Sequence, residues 1–227
     1  MKIVKLVAVA LALVPAALAV TYSTDASACG MSIRMDPTPQ KATPVQEIAR
    51  AEKALESGQS LAAAKAVLGQ FPKVRVATAG ANPLETRALR VFALAVVRSN
   101  GAVNEKTAGF MKGAEDWTRT ANLEWAVQSI REIDAKRPND PTVQADLGEA
   151  LSKLPHGQKE SMTILQGLAQ KDLMGSPHAY AALAKLRSEQ GDDAGAQAAI
   201  KRCEEMSKSP GVCKPAAPSK PIFAAKA

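Results

Sequence analysis

The chain has 227 residues, of which 4% are aromatic and 22% charged. Alanine is abundant and extended runs of Val, Ile and Thr are missing, which excludes a β-sandwich. Of the formal charge of +7, Lys2 and Lys5 open the chain and Lys208, Lys214, Lys220 and Lys226 lie in its acid-free end; these six leave +1 for everything between, which excludes a basic stripe for nucleic acid.

After Lys5 no charge occurs from Leu6 to Thr24, the charged-then-apolar order of a signal peptide. Its most apolar part, Leu6 to Ala19, spans about 21 Å as a helix, short of the ~30 Å hydrocarbon core, so a cleaved signal is favoured over a permanent anchor. Small residues offer two cuts, Ala17-Leu18-Ala19 before Val20 and Ala26-Ser27-Ala28 before Cys29. The first ends the apolar run and sets the signal at residues 1–19, with 28 as the alternative end. The second leaves Cys29 at a new N-terminus before Gly30 and partly resembles a bacterial lipoprotein signal, although Ala26 stands where that pattern has Leu. Residues 20–43 read as an extended leader with Pro37 and Pro39 and no apolar period.

Helical spacing begins at Pro44, with Val45, Ile48 and Leu55, and Gly58 ends that element. Ser60 is placed to cap a second helix carrying Leu61, Ala64, Val67, Leu68 and Phe71, stopped by Pro72. The stretch from Leu84 to Arg98, with Leu84, Ala88, Val91, Phe92, Ala95 and Val96, is expected to be the most buried helix, broken by Asn100-Gly101. Residues 103–120 read either as a loop carrying Phe110 and Trp117 or as a short helix. Leu123, Ala126, Val127, Ile130 and Ile133 then form an amphipathic helix ended by Pro138. Val143, Leu147, Ala150, Leu151 and Leu154 share the next face; Met162, Leu165 and Leu168 return after the Pro155-His156-Gly157 turn. Tyr180 and Leu183, the Gly191-Asp192-Asp193 turn, and Ala196, Ala199, Ile200 and Cys203 complete a last pair. Residues 207–227, rich in Pro, Lys and Ala, are expected to stand outside the core as a disordered tail.

Helix pairs restarting near Thr107, Pro141 and Pro177 are 34 and 36 residues apart. Leu147-Gly148 and Leu183-Ala184 place a small residue where two helices can approach, Tyr180 is an aromatic early in the last unit, Ala196 and Ile200 are a small-then-large pair on its second helix, and Pro138 closes a unit. In these residues the chain resembles the tetratricopeptide repeat family, over roughly Pro44 to Met206. The hairpin with Gly58, Ala63 and Val67 is a degenerate copy, and the helix at Leu84 has no clear partner. The resemblance implies an all-α fold of antiparallel helix-turn-helix repeats stacked as a short right-handed superhelix over residues 44–206, and a scaffold binding a protein or peptide on its concave face. Gln144 and Arg187 lie on the first helices whose inner faces such arrays expose.

The residues that carry chemistry are few. His156 sits in a turn and His178 at a helix start, without the i, i+4 spacing of a helical zinc site, so both read as solvated turn residues. Glu115-Asp116, Asp192-Asp193 and Glu204-Glu205 are adjacent pairs that splay apart on a helix; the first reads as a helix cap and the second as turn and first-turn chemistry. No nucleophile elbow, phosphate loop or dinucleotide fingerprint occurs. Neither catalysis nor a cofactor or metal is expected. Of Cys29, Cys203 and Cys213, the last two pair naturally if Cys29 is lipidated or lost, while Cys203 alternatively reads as a small core residue. Trp117 and Trp125 read as packing between helices, or as exposed aromatics of a peptide groove. The expectation is an exported, non-enzymatic, periplasmic or secreted scaffold. The alternative is a cell-envelope accessory protein or lipoprotein that meets a membrane through Cys29 or its basic tail.

Overall fold

The computed structural model describes residues 42–110, 115–209 and 211–214. The signal, Cys29, nearly all of the leader and the tail beyond Lys214 lie outside these residues. Among them the secondary structure is entirely helical: α1 (Pro44–Glu56), α2 (Ser60–Gln70), α3 (Pro83–Arg98), α4 (Arg119–Lys136), α5 (Pro141–Leu151), α6 (Gln158–Gln170), α7 (Pro177–Glu189) and α8 (Asp193–Met206), with 3-10 turns at Val74–Val76 and Pro155–Gly157. None of these helices is long and apolar enough to cross a membrane.

Helix starts follow local chemistry. Proline occupies the first helical position of α1, α3, α5 and α7, where no backbone donor is missed, and Thr43, Asn82, Asp140 and Ser176 accept hydrogen bonds from first-turn amides. Thr43 and Gln46 form a reciprocal capping box. Ser60, expected as a cap, is instead the first residue of α2, whose cap position is held by Gln59 without a side-chain bond. Glu115-Asp116 does not cap α4. Thr118 does, accepting from Ala121 N at 3.2 Å, and Asp116 pairs with Lys106.

Consecutive helices pack as the hairpins α1–α2, α3–α4, α5–α6 and α7–α8, and α1, α3, α5 and α7 also touch in succession. The unit expected to restart at Thr107 therefore has a different start. Described residues 103–110 and 115–118 form a non-helical connection, and α3, which lacked an evident partner, pairs with α4 across it. Buried Asn122 holds this connection by donating from Nδ2 to Gly101 O at 3.0 Å and Val103 O at 2.7 Å. Leu154 is buried, but beyond the end of α5 rather than on its face.

One core cluster runs through α1 to α5 around Phe92, Ile130 and Leu151, and a second joins α6, α7 and α8 around Leu165, Leu183 and Cys203. Ile164 packs against both. Nine residues of α3 are buried, more than in any other helix described. At Gly148 a Cβ would lie 2.6 Å from Leu165 Cδ2, so α5 and α6 approach through the missing side chain. The first residues of the expected tail take part in the fold: Cys213 is buried and disulfide-bonded to Cys203, and Val212 packs on the second cluster.

Candidate functional site

A cleft of about 530 Å3 crosses the first helix of each hairpin. Glu52 and Leu55 of α1, Arg90 and Leu94 of α3, Thr142 and Asp146 of α5, and His178 of α7 line it, and Met206, Ser207 and Lys208 close one end. Four helices far apart in the chain contribute to it because α1, α3, α5 and α7 touch in succession, and the end of α8 adds a fifth part.

The floor is ionic. Arg87 binds both oxygens of Glu52, at 2.6 and 2.5 Å, and Arg90 Nε donates to Asp146 Oδ2 at 2.5 Å. Arg98 grips Glu149 with two bonds of 2.9 and 3.0 Å, and the two side chains are only 10% and 3% exposed. A charge this deep is tolerated only when paired and hydrogen-bonded. Burial pushes the Asp146 carboxyl up to about 6, against the pull of Arg90. Burial acts the same way on Glu149, but the charge and hydrogen bonds of Arg98 outweigh it and hold that carboxyl below its ordinary value. Burial, reinforced by Arg98 and Lys153 and opposed by Glu149, lowers His178 to about 4, so its imidazole is neutral near pH 7. Its Nε2 is buried and has no hydrogen-bond partner in the structure. The expectation that His178 is a solvated turn residue is corrected on these grounds, whereas His156 is exposed.

A second ionic feature lies across α3 and α4. The Arg75 guanidinium carbon stands 4.2 Å from the ring centroids of both Trp117 and Trp125 and 5.1 Å from that of Phe92. Nε donates to Glu105 and Nη2 to Asn122 Oδ1 at 2.8 Å. Both tryptophans are therefore half-buried walls around an internal cation, and neither is among the residues lining the cleft.

Of the other residues singled out in the sequence, Gln144 does not line the cleft, and Arg187 is turned to its own loop, with Nη1 donating to Gly195 O at 3.0 Å. Asp192 caps α8 by accepting from Gly195 N at 2.9 Å. The structure brings Cys203 and Cys213 together, and their bond fixes the segment after α8 that walls the cleft. Among the described residues no group of three or more His, Cys, Asp or Glu converges to hold a metal ion. No family model, curated protein or solved structure matches the chain at a significant level.

The ionic floor escapes a search for adjacent carboxylate pairs, but it leaves a trace. Asp146 and Glu149 are the only charges in PTVQADLGEAL and lie three apart, so they share a helix face, and Arg90 and Arg98 flank the apolar run Val91–Val97 of α3. Acid and base on two buried helices is the signal for a pair between them.

Proposed function

We propose that the protein is an exported, non-enzymatic scaffold of tetratricopeptide-like hairpins stacked as a short right-handed superhelix, and that it binds a protein or peptide segment in the cleft across α1, α3, α5 and α7. The observation that carries this reading is the origin of the cleft: apart from the end of α8 at Met206, its helical walls come from the first helix of each hairpin, the face that a stacked hairpin array leaves open. The close approach at Gly148 supports the same packing. Arg90 with Asp146, and Arg98 with Glu149, are spent on one another, an arrangement that fixes the shape of a binding face.

The test is photo-crosslinking of the full chain in cells, with the reactive residue at Thr142, exposed on the cleft, or at Lys159, exposed on α6 outside it. A discrete adduct from position 142 and none from 159 is the expected result. Equal labelling from both positions, or none from either, overturns the reading.

A further inference from the structure

A second cavity of about 810 Å3 lies between α5, α7, α8 and the segment after α8. That size suits a small organic ligand or the end of a larger one. Its wall carries Lys153, Lys185 and Lys214, together with Arg98 and His178, against only two carboxylates, Glu149 and Asp193. Both oxygens of Glu149 are already taken by Arg98. Asp193 is exposed in the first turn of α8. Lys185 makes a loose surface pair with Glu189 at 3.6 Å. Lys153, half-buried, has no ion-pair partner among the described residues, and burial together with the nearby charges of Lys185 and Arg98 lowers its pKa, with Glu149 opposing.

A partly desolvated ammonium without a counter-ion is a standing cost that a bound anion removes. The donor set indicates which anion. A flat carboxylate is best gripped by a guanidinium fork, and the one guanidinium in this wall is committed to Glu149. Lysines are compact point charges with three donors each, suited to a tetrahedral oxyanion. We infer that this cavity binds a phosphate-bearing group, held by Lys153 with Lys185 and Lys214 around it and the unpartnered His178 Nε2 on the same wall. The group belongs either to a free phosphorylated small molecule or to a lipid headgroup.

The experiment is calorimetric titration of the full chain with pyrophosphate at constant ionic strength, alongside co-sedimentation with phosphatidylglycerol vesicles and phosphatidylcholine controls. Lys153→Met is expected to weaken binding at least ten-fold, and Lys153→Arg to stay within a few-fold of the parent. Lys159→Met, which removes an equal charge outside the cavity, is expected to change nothing. Pyrophosphate binding that depends on Lys153 assigns a soluble ligand; phosphatidylglycerol binding with that dependence, without pyrophosphate binding, assigns a headgroup. Binding of neither probe by the parent, or equal weakening by Lys153→Met and Lys159→Met, overturns the inference. Should Lys153→Met fail to fold, Lys185→Gln is read against Lys159→Met in the same way. None of these variants alters the cleft residue Thr142, so failure here leaves the crosslinking test to stand on its own.

Discussion

The charge on Glu149 survives burial because Arg98 occupies both its oxygens, and that dependence sets what substitution does. Glu149→Met leaves a buried guanidinium alone and is expected to cost about 3–5 kcal/mol in urea denaturation, whereas the double change with Arg98→Met recovers most of the loss by replacing the pair with packed apolar groups. Asp146 and His178 make opposite contributions to pH dependence. Asp146 titrates at about 6 in the fold against 3.8 ordinarily, so its contribution is full below 3.8 and is lost as pH rises through 6. His178 is depressed from 6.5 to about 4, so its contribution is full above 6.5 and is lost as pH falls through 4. Between these limits the two offset each other. Relative to the parent, Asp146→Asn is expected to lose stability as pH falls from 6 to 4, and His178→Gln to gain it, read as midpoint shifts in urea melts. Equal pH profiles for all three proteins would refute the assignment. Little of this was legible in the sequence: a histidine after a helix-starting proline looks like a surface residue until the neighbouring hairpin covers it.

Elements were more legible than their partners. Pro44, Pro83, Pro141 and Pro177 mark helix starts because a missing donor costs nothing there, and the periods that follow specify which faces are buried. The pairing of α3 was not legible, because a long connection separates it from α4 and residue period says nothing about what lies across a loop. The capping box of Thr43 and Gln46 is written in the sequence as Thr-x-x-Gln, beside Pro44 at the first helical position. Two element contacts carry predictions. Gly148→Ala gains roughly 1 kcal/mol of helix propensity but pushes Leu165 from its place, so a net loss of about 1–2 kcal/mol is expected in chemical denaturation. Asn122→Ala removes the donors for Gly101 O and Val103 O and the acceptor for Arg75, with an expected loss of about 1–3 kcal/mol and faster amide exchange in residues 99–110.

Among the described residues, the hydrophobic core is divided between α1–α5 and α6–α8, and Ala145 of α5, Ile164 and the Gly148 contact sit where the two meet. Hairpin arrays distribute stability by nearest-neighbour contacts. Reduction of the Cys203–Cys213 bond by a dithiol is therefore expected to speed hydrogen exchange in α8 and the segment after it while leaving α1 to α4 unchanged; uniform loss of protection would show instead that the two clusters open as one. The same bond has a temporal meaning. The segment that lines both the cleft and the second cavity follows every described helix, so a chain that folds as it emerges builds α1, α3, α5 and α7 long before it can complete either space. On the proposed reading, binding competence is then the final event of maturation, reached only when Cys213 has been made and oxidised, and a partner recognising either space would tell a finished, oxidised molecule from a nascent one.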